Sequence, residues 1–153
     1  MNVPHFKQEL DYSCLPACLR MVLAFYNQEF PESQLRILLK TRPGGTSPLQ
    51  VTWRLPELGY EAFMQSGSQS TLRETLAAGR PCIVHVWTQP LPYWQEEAIH
   101  SLVVVELSED NVLVHDPILS SGPTSVPLEA FRRAWAATDN LMIAVQPRKQ
   151  ESA

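Results

Sequence analysis

An α+β fold, with helices in the first half and an antiparallel sheet after them, is what this sequence predicts. Two patterns lead there. Between residues 14 and 79 the apolar residues recur at helical spacing. Between residues 82 and 145 they gather in short, strand-length runs separated by turn residues. Size agrees: 153 residues, 44% hydrophobic and 18% charged, suit one domain with a real core and exclude a disordered chain. Thirteen prolines against six glycines point to many sharp connections. The domain is expected over residues 1–146, with residues 147–153 as a flexible polar tail.

The first helix is expected to begin at Cys14, with Ser13 as its cap and Pro16 in the first turn, where a missing N–H does little harm. Cys14, Ala17, Cys18, Met21, Val22 and Phe25 form one stripe, and Leu15, Leu19, Leu23 and Tyr26 a second. Only Arg20 and Asn27 read as facing solvent, so the helix is nearly buried all round. A second helix starts at Pro31-Glu32 and runs to Leu39. Residues 41–48 form a loop, with Pro43-Gly44-Gly45 as its breaker. A third, short helix over Leu49–Leu58 ends or kinks at Pro56, and Gly59 closes it. Glu61–Gln65 reads as a strand. Thr71 and Glu74 have capping-box spacing and open a helix that Gly79 ends.

The strands follow. Cys82–Trp87 and Ile99–Leu107 are apolar runs of strand length. Ser108–Asn111 is a hairpin turn and Val112–Asp116 the return strand. Pro127–Trp135 reads as a helix and Leu141–Val145 as a last strand. Helices first and sheet after them suggest that the helices gather on one side of the sheet.

Charge and cysteine content exclude several classes. The formal charge is 12 − 16 = −4, with no Lys/Arg block, so no nucleic-acid footprint is expected. No run approaches the roughly 18 apolar residues of a membrane span, and no basic segment precedes an apolar core as in a signal peptide. Three cysteines cannot all pair within one chain, which suits a reducing cytoplasm. No cofactor is expected. A metal site on Cys14, Cys18 and a histidine lacks an evident fourth ligand.

Cys14 is the first candidate for chemistry. A helix N-terminus favours a thiolate, which is a nucleophile; the ordinary alternative is a small buried apolar residue. A nucleophilic cysteine needs a base. His100 opens the most apolar strand, next to a polar and aromatic loop. His85 lies inside an apolar run and reads as packed, His5 lies near the chain's start and reads as exposed, and His115 must face away from Asp116. The base needs an orienting acceptor. His100 and Asp116 stand equidistant from position 108, so an antiparallel return brings them level, while a slip of one residue separates them. Taken alone, Asp116-Pro117 also reads as a plain turn start. Gln8, six residues before Cys14, can supply an oxyanion donor beside the Cys14 N–H, or be a surface polar residue. Tyr93, Trp94 and Trp87 either line a substrate groove or pack their loop on the core.

The ordered set resembles the bacteriocin-processing cysteine peptidases, papain-like domains that remove leader peptides after a double glycine. It comprises Gln8, Asp11 and Cys14-Leu15-Pro16-Ala17-Cys18 with Met21, then Gly79-Arg80-Pro81-Cys82-Ile83-Val84. His100-Ser101-Leu102-Val103-Val104-Val105, Val112–Pro117 and the late aromatics Phe131 and Trp135 complete it. The resemblance spans about residues 3–145. It implies a papain-like α+β fold, Cys14 as nucleophile, His100 as general base, Asp116 as its orienter and Gln8 as oxyanion donor. A peptide or protein is the implied substrate, and association with a membrane exporter is a feature of many members. The chain departs from the pattern at Leu15, where the family usually carries Gly. A catalytically inactive leader-binding module and another papain-like amidase or acyltransferase are the alternatives on the same fold.

Overall fold

The computed structural model describes residues 1–149. Helix α1 (Cys14–Phe25) buries Leu15, Cys18, Leu19, Val22 and their neighbours, as its two apolar stripes require. Helix α2 (Glu32–Leu38) and helix α3 (Leu49–Arg54) follow. A 3₁₀ turn at Leu55–Leu58 ends on Gly59, whose φ of 86° is left-handed. Strand β1 spans Tyr60–Ser66 and helix α4 Gln69–Ala77. Strands β2 (Cys82–Trp87), β3 (Ile99–Leu107), β4 (Asn111–His115) and β5 (Thr124–Pro127) precede helix α5 (Leu128–Ala136) and strand β6 (Leu141–Pro147).

The strands form one sheet, antiparallel at every pairing, in the order β1-β6-β2-β3-β4-β5. Alternate residues of β2 enter different cores. Ile83 packs with Leu19, Val22 and Leu35 of α1 and α2, whereas Cys82 and Val84 pack with Leu72, Phe131 and Trp135 of α4 and α5. Helices therefore cover both faces, which corrects the expectation of one-sided helices. A run buried at every position from 82 to 86, His85 included, has no face to show to water.

Other expectations shift by a few residues. Helix α4 starts earlier than Thr71: Ser68 is its N-cap, and Thr71 closes the capping box from the third helical position. The short strand β5 was not legible, since Val126 is its one buried side chain. The expected tail boundary also moves. Gln146 and Pro147 pair with Glu61 and Tyr60, and the Arg148 N–H donates to Gly59 O, because β1 offers them partners. The remainder of the expected tail, residues 150–153, lies outside the described residues.

The β3–β4 hairpin positions the site. At its tip Leu107 faces Val112 and Glu106 faces Leu113; beyond a bulge at Val105, Val104 faces Val114 and Val103 faces His115. Extending the tip register would set Asp116 against Val103, on the side opposite His100. The bulge shifts the register by one, so Asp116 falls level with Leu102 and shares its face with His100. The expected level pairing of His100 and Asp116 is thus a diagonal one.

Candidate active site

The site starts at the N-terminus of α1. Ser13 occupies the N-cap position, but its side chain does not cap. Its Oγ lies 3.0 Å from Leu10 O and 3.2 Å from Glu32 Oε1, and accepts from the Leu10 N–H. The nearby carboxylate is the stronger acceptor, so the expected cap is corrected. No side chain then satisfies the first N–H groups of α1, and they favour an anion at Cys14.

Cys14 is half-buried, with His100 and Ser101 as its neighbours. Burial works against its thiolate, but the His100 ring and the Ser101 hydroxyl and N–H outweigh burial and bring the pKa down. The other thiols go the opposite way. Burial pushes Cys82 up to about 12 and Cys18 well above its ordinary value. All three cysteines are free.

His100 is buried at the start of β3, with Trp94 edge-on at 4.6 Å between ring centres. Its Nε2–H donates to Asp116 Oδ1 at 2.6 Å, leaving Nδ1 for the thiol. Burial opposes a charged ring, yet Asp116 and Cys14 prevail and raise His100 to about 9. Asp116 has no exposed surface. Tyr93 Oη and Trp94 Nε1 donate to its Oδ2 at 2.7 and 2.8 Å, and the Ile118 N–H donates to Oδ1 at 3.0 Å. Burial raises this carboxyl's pKa, but His100, Tyr93 and Ile118 lower it further than burial lifts it. Sequence offered Tyr93 and Trp94 as groove or packing residues; Trp94 does line the cleft, and the polar tips of both also hold the carboxylate.

Gln8 is buried in the same cleft as Cys14 and His100, a cleft of about 450 Å³ that Trp94 and Gly44-Gly45 also line. Its Nε2 donates to Leu10 O at 2.8 Å, and its backbone N–H donates to Pro117 O at 2.7 Å, just after Asp116. The Gln8 Oε1 has no partner among the described residues. Gln8, Cys14, His100 and Asp116 thus come together from the first segment, α1, β3 and the end of β4.

Glu32 carried no signal in the sequence beyond its place at a helix start. It is fully buried and accepts from the Glu9 N–H at 3.0 Å, from Ser13 Oγ and from the Arg36 guanidinium. Arg36 also reaches Glu9 Oε1 at 3.0 Å. This pair clamps the segment between Gln8 and Cys14. His5 is half-buried rather than exposed: its ring meets His115 at 2.9 Å and Leu119 O at 2.7 Å. Leu15 packs in the core on the α1 side of the sheet. Among the described residues no group of three or more His, Cys, Asp or Glu is placed to hold a metal, and no helix is long and apolar enough to cross a membrane.

Known proteins share this arrangement of elements. Residues 2–150 match the model of the peptidase C39 family. The transport/processing ATP-binding protein ComA of Streptococcus pneumoniae is 26% identical over 144 residues, which is 94% of this chain and 19% of that protein. The chain thus spans about a fifth of the length of such relatives. The peptidase domain of Streptococcus ComA superposes with a TM-score of 0.79 at 26% identity, covering 96% of this chain and 100% of that domain. A double glycine motif protease from an AMS/PCAT transporter, solved with its leader peptide, gives a TM-score of 0.75 at 23% identity; it covers 95% of this chain and 92% of that one, and shows the fold alone. With its family pattern running from the second residue to the last strand, the chain belongs to the peptidase C39 family of cysteine peptidases.

Proposed function

We propose that the chain hydrolyses a peptide bond through Cys14, His100, Asp116 and Gln8. The observation that carries this reading is His100 between Cys14 and Asp116, beside the one thiol of three whose pKa falls. His100 Nδ1 takes the Cys14 proton, and Asp116 holds the ring through Nε2 and stabilises its charge. The thiolate attacks the peptide carbonyl carbon. The carbonyl oxygen becomes an oxyanion, met by the Cys14 N–H and by the Gln8 amide hydrogen not engaged by Leu10 O. The C–N bond then breaks, and the leaving amine takes the proton from His100. Water attacks the resulting thioester, returns a proton to His100, and releases a carboxylic acid and the free enzyme.

The substrate class is a peptide. The double glycine protease solved with its leader peptide supports cleavage after Gly-Gly in a leader segment as the specific reaction. The kinship with a transport/processing protein supports action beside a membrane exporter. A free thiolate nucleophile suits the reducing cytoplasm. The test is a peptide-library cleavage assay with Cys14→Ala as control. Cleavage by the native chain, enriched after Gly-Gly and absent in Cys14→Ala, is expected. Tight peptide binding without turnover under reducing conditions would instead identify a leader-binding module.

A further inference from the structure

Trp94 stands in the loop between β2 and β3, residues 88–98. The loop is tied at its neck. The Thr88 N–H donates to Ala98 O at 2.9 Å, Thr88 Oγ1 donates to Glu96 O at 2.6 Å, and the Ala98 N–H donates to Thr88 Oγ1 at 2.9 Å. Leu91 is buried in the core on the α5 side of the sheet, and its carbonyl accepts from the Trp94 N–H at 3.2 Å. These bonds fix the loop without any help from Asp116, so Trp94 is held ready for what it touches.

Three contacts meet on its side chain. The indole Nε1–H donates to Asp116 Oδ2 at 2.8 Å. The indole and the His100 ring meet edge to face, 4.6 Å between centres and 62° between planes. The half-buried ring also lines the catalytic cleft, together with Cys14, His100, Ile99 and Ile118. An indole carries one donor on its rim and an apolar body, so it can hold a carboxylate and still offer apolar surface. Tyr93 shows the two roles apart. Its Oη donates to the same Oδ2 at 2.7 Å, but Tyr93 is not among the described residues that line the cleft. Half-open aromatic surface in a ligand's cleft is where binding energy concentrates.

We propose that Trp94 joins the substrate to the His100–Asp116 pair: its ring contacts the peptide bound in the catalytic cleft, while its N–H positions Asp116 behind His100. The assignment rests on the peptidase reading above. Its test uses a blocked peptide with Gly-Gly at its centre. Calorimetry in the Cys14→Ala background reads Kd without turnover, and kcat is read with Cys14 in place. Tyr93→Phe is expected to lose about tenfold in kcat, the scale of one hydrogen bond, and to keep Kd within about twofold. Trp94→Phe, which keeps a ring and loses the donor, should lose as much in kcat. Trp94→Leu should in addition weaken Kd about tenfold. Hydroxyl-radical footprinting of Cys14→Ala reads the same contact with Trp94 intact, so the contact stays testable if Trp94→Leu does not fold. Bound peptide should protect Trp94 and leave Trp53, 61% exposed and outside the cleft, unchanged. An unchanged Kd in folded Trp94→Leu, or Trp94 oxidised equally with and without peptide, overturns the contact. An unchanged kcat in Trp94→Phe overturns the hold on Asp116. Each of these leaves the peptidase reading standing. A native chain that cleaves no Gly-Gly peptide overturns that reading, and protection of Trp94 then still decides the contact.

Discussion

Cys14, Cys18 and Cys82 carry the same side chain, and their surroundings separate them. Cys18 and Cys82 are fully buried among apolar neighbours, whereas Cys14 meets His100, Ser101 and the uncapped end of α1. At pH 7 iodoacetamide is expected to label Cys14 at least about tenfold faster than the other two, as thiolate content and access dictate. Peptide mapping of the native protein reads this, and equal labelling would refute it. Asp116 is surrounded by donors, so Asp116→Asn sets an amide N–H₂ against one or more of them. The variant should lose about 10–100-fold in kcat, the scale of a charge-assisted hydrogen bond. Its unfolding midpoint should also drop, because buried donors are left unpaired. Steady-state kinetics and urea unfolding check both effects. At this scale the sequence was informative: a cysteine at a helix start, a histidine opening a strand and an Asp-Pro closing the next were readable from local pattern. The donors from Tyr93 and Trp94 were not, because a residue's pattern says little about which way a loop folds back.

Among the elements, α2 does more than fill space. Through Glu32 it holds Glu9 and Ser13, the two ends of the stretch between Gln8 and Cys14. Removing one partner of a buried pair is strongly destabilising, so Glu32→Ala should lower stability by about 3 kcal/mol and slow Cys14 labelling. By contrast, Ser68→Ala removes the α4 cap, far from the thiol. It should cost about 1 kcal/mol and leave labelling unchanged. Urea unfolding with labelling kinetics separates the two. Helix boundaries were legible where proline, glycine and apolar spacing agreed, as for α1, α2 and α5. They failed at Ser68, where Ser68 and Thr71, three residues apart, both offer a cap signal, and at β5, where one buried valine makes no pattern.

Over the whole molecule, buried titrating groups make stability depend on pH. Burial holds His85 at about 4, and burial with His5 beside it holds His115 at about 4. Their ordinary value is 6.5, so between about 6.5 and 4 the unfolded chain binds protons that the folded chain does not. Stability should therefore fall as pH drops through that window. Asp116 adds to the loss at lower pH, since its folded pKa lies below its ordinary value. Above pH 6.5, His100 stays protonated up to about 9 in the folded state, which lowers stability as pH rises. Cys14 gives up its proton early and works in the opposite direction. Urea midpoints should thus fall steeply from pH 6.5 to 4. A flat acid side would contradict the burial of these two histidines. The sequence by itself determined the α+β class, the order of nearly all elements and the residues suited to thiol chemistry. These follow from apolar periodicity, helix-end signals and side-chain type, all of them local along the chain. Tertiary structure alone decided that helices cover both faces of the sheet, that a bulge at Val105 turns Asp116 toward His100, that Glu32 holds the segment before the thiol, and that Tyr93 and Trp94 hold Asp116. Register and loop closure depend on contacts between residues far apart in the chain, and local pattern does not encode them.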